Sequence, residues 1–242
     1  MECQQRRLKI KYAILIPYYN RLEQLKNTLI SFDHHYSKRN DWIAIVVVGQ
    51  KESEIVGKIK EFGFKNCLTI LSPVLSNTPV VEYNYAAKIS EAEYFVLTNP
   101  ECLHRVDILS ICDEIFSKSD PYIMCACEAI DNMTGKFPNI EYTHEMWYQH
   151  SIHRNRKLNF CSVISSANYN KIGGFNEEYI NGIGCADDEF LDNVIENYIP
   201  IVVRDDALVL HQKHPPQPNL AEGIQLSHYI YEKNKRKKQK WN

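Results

Sequence analysis

Short apolar runs alternate along this chain with stretches of helical periodicity, and few architectures satisfy that alternation. Tyr12-Ala-Ile-Leu-Ile-Pro17 is an apolar run ended by a proline, as suits a strand buried on both faces. After the polar Tyr18-Tyr19-Asn20-Arg21, the residues Leu22, Leu25, Leu29 and Phe32 fall at helical spacing. The pattern then repeats. Trp42–Gly49 reads as a strand, Glu52–Phe62 as a helix and Cys67–Leu71 as a strand. Asn77-Thr78-Pro79 offers a cap and a first-turn proline for a helix ending near Ser90. Tyr94–Thr98 is a strand, Ile108, Leu109, Cys112, Ile115 and Phe116 share one helix face, and Tyr122–Cys127 is a further strand. The expected fold is α/β, a single domain with a mostly parallel sheet and helices on both faces. Ligands of such sheets bind beyond the carboxyl ends of the strands, which singles out Tyr18–Arg21, Gln50 and Asn99–Glu101.

Beyond Cys127 the periodicity fades. Residues 128–159 are rich in Tyr, His and Asn and contain Trp147; a loop of that length is either a lid or unrecognised structure, and a lid is the expectation. Phe160–Ile164 resumes a strand, Asn168–Ile172 a short helix, and Pro200–Val203 and Ala207–Leu210 two short strands, the second delivering His211. Between them, Gly182-Ile-Gly-Cys-Ala-Asp187-Asp188-Glu189-Phe190 sets three consecutive acids at the mouth of a helix that carries Phe190, Leu191, Val194 and Ile195 on its apolar face. Acids there either cap the helix and answer its dipole, or present carboxylates to a cleft.

Charge and cysteine usage exclude several classes. A net charge of −2 gives no global affinity for nucleic acid. The eight cysteines have no CxxC spacing and read as small buried hydrophobes of a reducing compartment. No apolar run has the length of a membrane span and the first residues lack a signal-peptide core, so a cytoplasmic location is expected. His150-x-x-His153 and His211-x-x-His214 have metal-like spacing, but without cysteines or an HExxH pattern they argue against a structural zinc. The basic tail from Lys233 to Lys240 is either a solvated terminus or a peripheral contact with an anionic membrane.

Several segments together resemble GT-A glycosyltransferases of the family 2 type. Ile14-Leu-Ile-Pro-Tyr-Tyr-Asn-Arg21 is similar to that family's opening strand and nucleotide-binding turn, and Asn84-Tyr-Ala-Ala-Lys88 to a helix start near the nucleotide. Phe95-Val-Leu-Thr-Asn-Pro-Glu101 resembles the strand-borne DxD metal motif. Gly173-Gly-Phe-Asn-Glu177 followed by Asp187-Asp188-Glu189-Phe190 resembles the acceptor block shared with the C-terminal region of galactosyltransferases. The resemblance implies an N-terminal extension at 1–11, a GT-A domain at 12–232 with a nucleotide-sugar half (12–127) and an acceptor half (128–232), and a basic tail at 233–242. It assigns nucleotide contacts to Pro17, Tyr18, Tyr19, Asn20, Arg21, Gln50, Asn84, Lys88 and Asn99. It gives a divalent metal, Mn²⁺ or Mg²⁺, to Glu101 and His211, and acceptor contacts to Asn176, Glu177 and Glu189; Trp147 adds an aromatic face on which an acceptor sugar can stack. Asp187 is the implied general base, with Asp188 as the alternative. Three positions depart from the pattern: Asn99 replaces the first acid of DxD, Gly49-Gln50 replaces an Asp that contacts uracil, and Ala186 stands where relatives carry Glu.

The function so implied is transfer of a sugar, with inversion, from a nucleotide-sugar, expected to be a UDP-sugar, to a glycan or glycolipid. Two alternatives stay open. One is a degenerate member that binds nucleotide or glycan without turnover, as the three departures suggest. The other is a sugar-phosphate nucleotidyltransferase, although Pro17-Tyr-Tyr-Asn-Arg21 lacks that class's glycine-rich basic loop.

Overall fold

The computed structural model describes residues 10–215 and 220–239. The first half follows the expected alternation: β1 (Tyr12–Tyr18), α1 (Leu22–Tyr36), β2 (Trp42–Val48), α2 (Ile55–Lys60), β3 (Cys67–Leu71), α3 (Val80–Ile89) and β4 (Tyr94–Thr98). Next come β5 (Cys102–His104), α4 (Ile108–Phe116), β6 (Tyr122–Lys136), β7 (Asn139–Gln149) and β8 (Cys161–Ser165). The chain closes with α5 (Ser166–Ile172), α6 (Ala186–Glu196), β9 (Ile201–Gln212) and α7 (Leu220–Gln239).

One sheet carries the order β3-β2-β1-β4-β8-β6-β9-β5, with β7 attached to β6. Its first four strands are parallel. β8 and β6 then join antiparallel, β9 lies parallel to β6, and β5 runs antiparallel to β9, so the second half is mixed. Strand periodicity sorts the core onto two faces. Tyr12, Ile14 and Ile16 of β1 pack with Leu25, Leu29 and Phe32 of α1 and with Ile108 and Leu109 of α4. Ala13 and Leu15 point the other way, onto a layer containing Val80, Val81 and Ala86 of α3, Tyr169 of α5, and Phe190 and Val194 of α6. Each fully buried Leu or Phe contributes about 1.5–3 kcal/mol relative to exposure, which makes these two layers the main stabilising element.

Several expectations are corrected. Most of the expected lid is the second half of β6 and the whole of β7, a hairpin whose pairing shifts register after Cys127, Ala129 and Asp131. Those shifts break the period-2 pattern that reveals a strand. The strands expected at 200–203 and 207–210 are one strand, β9, crossing a register shift against β6 at Cys125/Ala126. Asn77 and Thr78 do not cap α3: Asn77 accepts a hydrogen bond from Lys51, and Thr78 donates to the Tyr179 carbonyl. The boundary expected at 127/128 falls inside β6, and the one at 232/233 falls inside α7. The expected extension lies outside the described residues up to residue 9, as does the tail beyond Gln239. All described cysteines are free, and no helix among the described residues is long and apolar enough to cross a membrane.

The Gly-Gly-Phe-Asn-Glu block is joined to α3 through Asn84. The Asn84 amide donates to the Phe175 carbonyl and to Glu177, and its oxygen accepts from Tyr169 Oη (2.7 Å) and from the Phe175 N–H (2.9 Å). Gly174 sits at φ +69°, and a Cβ there would stand 2.6 Å from Asn84 Oδ1 and 2.9 Å from the Tyr169 ring. Left-handed backbone and this crowding both oppose a side chain. Gly174→Ala is expected to lower unfolding free energy by about 2–4 kcal/mol. Urea denaturation checks this; a loss smaller than about 0.5 kcal/mol, the scale of neutral surface changes, would show that the turn is not constrained.

Candidate active site

The site opens where the two neighbours of β1 part. β1 pairs with β4 only as far as Leu15 but continues against β2 to Tyr18, which leaves a crevice at the carboxyl ends of the parallel strands. A cavity of about 420 Å³ fills it. Pro17, Tyr18, Tyr19 and Arg21 line it from the end of β1, Gly49 from the end of β2, and Asn99, Pro100 and Glu101 from the end of β4. Ser76–Pro79 and Glu82, then Phe160, His211 and His214, and finally Ile183, Gly184, Ala186 and Asp187 complete the lining.

The pairing of β5 with β9 places Cys102 opposite His211, so the turn after β4 meets the end of β9. Gln212 reinforces that meeting. Its backbone N–H donates to the Glu101 carbonyl (3.0 Å), and its side-chain amide reaches the Gln24 carbonyl, Thr28 Oγ1 and the Glu101 carbonyl. Thr28 in turn donates to the Pro100 carbonyl (2.8 Å). Glu101 is thereby buried with a defined direction.

Around its carboxylate stand three nitrogen groups. His211 Nε2 and His214 Nε2 lie 3.5 and 3.6 Å from Glu101 Oε1, and Arg21 Nε lies 3.2 Å from Oε2. One ligand atom from each of Glu101, His211 and His214 falls within 4.8 Å of the others. Burial alone would push the Glu101 carboxyl up, but the His211 hydrogen bond and the charge of Arg21 outweigh it and hold the group below the ordinary glutamate value. Burial keeps the His214 imidazole more readily neutral than a free histidine, with Arg21 and His211 adding to that effect. Its Nδ1 lies 2.8 Å from the Pro215 carbonyl; donation to that carbonyl requires Nδ1–H and leaves the lone pair on Nε2, toward Glu101. A carboxylate oxygen and two imidazole nitrogens form a donor set that Mn²⁺ accepts.

Asp187 lines the same cavity from the first turn of α6. It is half-buried, and among the described residues no group hydrogen-bonds to it. Desolvation first, and the neighbouring Asp188 charge second, push it up to about 7. The three acids do not cap α6; Cys185 holds the cap position at φ 53° with no side-chain hydrogen bond. They have separate roles. Asp188 is exposed, whereas Glu189 is buried and accepts from Tyr179 Oη (2.6 Å), Asn176 (3.0 Å) and Asn234 (3.2 Å).

Of the residues expected at the site, Pro17, Tyr18, Tyr19, Arg21, Asn99, Glu101, His211 and Asp187 meet in this one cavity. Others are placed elsewhere. Asn20, at φ 46°, donates its N–H to Glu52, and Gln50 is exposed with its amide on the Ser72 carbonyl. Asn84 joins α3 to the glycine block, Lys88 is exposed on α3, and Glu177 is exposed beside Asn84. Asn176 caps the turn at Glu178, and Trp147 stacks on His153 with ring centroids 5.7 Å apart, outside the cavity lining. Four contributors were not anticipated: His214, Gln212, Phe160 and Ile183. The His211-x-x-His214 spacing pointed to the first; Gln212 and Phe160 carried no sequence signal.

No protein-family model matches the chain, and no curated protein matches its sequence. Solved structures do resemble it. TarS of S. aureus, residues 1–349, in complex with UDP-GlcNAc aligns at a TM-score of 0.66 with 14% identity, over 86% of this chain and 60% of that one. A mannosyltransferase from Pyrobaculum calidifontis in complex with GDP-Man and Mn²⁺ aligns at 0.62 with 10% identity, over 88% of this chain and 59% of that one. The chain therefore spans less than two thirds of either neighbour, and the likeness is one of fold: the architecture is GT-A.

The state of Asp187 is testable without a substrate. Because its folded value of about 7 lies above that of an unfolded aspartate, the folded chain binds this proton more tightly, and stability declines as pH rises from about 4 toward 7. Asp187→Asn removes that penalty. The variant is expected to be more stable than the parent at pH 8, by on the order of a few kcal/mol, with the difference vanishing near pH 4. Thermal melts at the two pH values check it; a difference independent of pH would place the titration elsewhere.

Proposed function

We propose that this protein transfers a sugar from a nucleoside-diphosphate sugar to the hydroxyl of a glycan or glycolipid, with inversion at the anomeric carbon. The observation that carries the reading is the content of one cavity: a cluster of Glu101, His211 and His214 able to hold an ion, and an unpaired aspartate pushed up to about 7 in the same lining. The fold neighbours bind UDP-GlcNAc in one case and GDP-Man with Mn²⁺ in the other, which supports a nucleotide-sugar as donor. A UDP-sugar is the first donor to test.

In this reading Asp187 accepts the acceptor's hydroxyl proton as the oxygen forms its bond to the anomeric carbon, while the carbon–phosphate-oxygen bond breaks and the electron pair leaves with the nucleoside diphosphate. A group that titrates near neutrality is suited to this, since enough of it is deprotonated to act and it still holds the proton it takes. Ile183 and Phe160 supply apolar wall on which a sugar face packs. Arg21 places positive charge and N–H donors where the diphosphate charge develops. Glu101, His211 and His214 would hold Mn²⁺, which when bound neutralises the departing diphosphate. The basic end of α7, with Lys233, Lys235 and Arg236, is proposed to contact anionic lipid when the acceptor is a glycolipid. Lys233 also pairs with Glu178 at 3.0 Å, so the contact adds to that pair.

Asp187→Asn is expected to cut turnover by about 10²–10⁴-fold while nucleotide affinity is retained. Glu101→Ala is expected to abolish stimulation by Mn²⁺. Release of UDP or GDP from a panel of donors, measured with and without metal, checks both. Nucleotide binding with no release from any donor would favour the non-catalytic alternative, which Asn99 and Ala186 motivate. Reversing the three basic residues at 233, 235 and 236 to Glu should reduce sedimentation with anionic liposomes at low salt; unchanged sedimentation would remove the membrane contact.

A further inference from the structure

The ion pair inside the proposed metal cluster has an unusual quality. Arg21 Nε and Glu101 Oε2 are 3.2 Å apart, and both side chains are almost fully enclosed. Yet neither atom completes a hydrogen bond, and both remain buried without a partner. The rest of the guanidinium is only partly engaged: one terminal nitrogen donates to the Tyr19 carbonyl at 2.8 Å, while the other lies 3.2 Å from His214 Nδ1, which cannot accept from it when its proton is turned to the Pro215 carbonyl. Arg21 is therefore held beside Glu101 by charge more than by fit. It also touches His214, a second member of the cluster.

We propose that Arg21 is an internal counter-ion that occupies the cation side of Glu101 until a donor arrives, and so couples metal binding to nucleotide binding. The proposal rests on the nucleotide-sugar reading of the same cavity. Without a counter-charge, a buried carboxylate in this position is strongly disfavoured, and Arg21 supplies that charge in the free protein. A divalent ion approaching Glu101 alone must compete with the guanidinium. A nucleoside diphosphate removes the competition, because its phosphate oxygens give the guanidinium, which already lines the cavity, another anion to pair with. Metal and nucleotide then each tighten the other by the same factor, as linkage requires. Arg21 thus acts on the metal through Glu101 and on the nucleotide through its own charge. The misaligned contact is the expected form of such a device, since a well-formed bidentate pair would resist exchange.

The test is binding of Mn²⁺ alone, UDP alone and the two together, to the full chain and to Arg21→Gln and Arg21→Lys. Free Mn²⁺ is read by its electron paramagnetic resonance signal, nucleotide by calorimetry, and folding by thermal melts. In the parent chain UDP is expected to tighten Mn²⁺ binding at least about tenfold, within the usual range of coupling between sites. Arg21→Gln is expected to bind Mn²⁺ alone about tenfold more tightly than the parent and to lose most of the coupling. Arg21→Lys, which keeps the charge, is expected to behave like the parent; a purely structural arginine gives no reason for lysine to restore weak metal binding. Mn²⁺ affinity that is unchanged or weaker in a folded Arg21→Gln overturns the proposal. If that variant does not fold, the parent and Arg21→Lys decide: absence of coupling in both overturns it. Absence of Mn²⁺ binding in every variant overturns it together with the metal assignment, whereas the UDP titration alone judges the nucleotide reading separately.

Discussion

The site depends on one pairing, the antiparallel contact between β5 and β9. Three residues of β5 set Cys102 against His211, which brings the turn that ends β4 next to the last residues of a strand more than a hundred positions later in the chain. A slip of one residue would send His211 to the opposite face of the sheet. Gln212 and Thr28 guard against that slip by tying the Glu101 and Pro100 carbonyls to α1. Their hydrogen bonds use no charge and contact no proposed ligand, yet the direction of Glu101 follows from them.

Much of the fold was legible because parallel strands buried on both faces leave continuous apolar runs, and the helices covering them leave stripes. β1, β2, β3 and β4 were all read at nearly their observed bounds for that reason. The second half was harder for physical reasons. β6 and β7 pair with repeated register shifts, and β7 is largely solvated, so neither alternation nor an unbroken apolar run survives. β9 contains Arg204, Asp205 and Asp206, whose charges read as a turn; in the structure Arg204 pairs with Asp206 within the strand, and Asp205 accepts from the Ser151 N–H. Only three residues of β5 are strand, too few to show a period.

The site was legible in outline but not in its division of labour. Residues flanking strand ends could be named from topology alone, and Tyr18, Arg21 and Glu101 do meet there. The acid triplet could not be resolved in advance, because sequence shows three adjacent carboxylates and only packing separates them. Helical geometry turns Asp187 into the cavity and leaves Asp188 exposed, while Glu189 is enclosed by Tyr179, Asn176 and Asn234. The same location collects the departures from local preference: a carboxylate raised toward neutrality, a non-glycine cap at φ 53°, and a buried ion pair that misses hydrogen-bond geometry. Departures of this kind gather where function outweighs local preference, and here they gather in one crevice.

The Ile183 part of the cavity lining has a support of its own. Gly182-Ile183-Gly184 rests on α7, where the Ile183 N–H donates to the Gly223 carbonyl at 2.9 Å and the Ile183 side chain fills the space a Cβ at Gly223 would need. Ser227, one turn further along α7, crowds Gly182 in the same way. Ile183 thus couples the position of α7 to the cavity it lines. A shift of α7, or a side chain added at Gly223, would displace the Ile183 part of the cavity lining although neither Gly223 nor Ser227 lines the cavity.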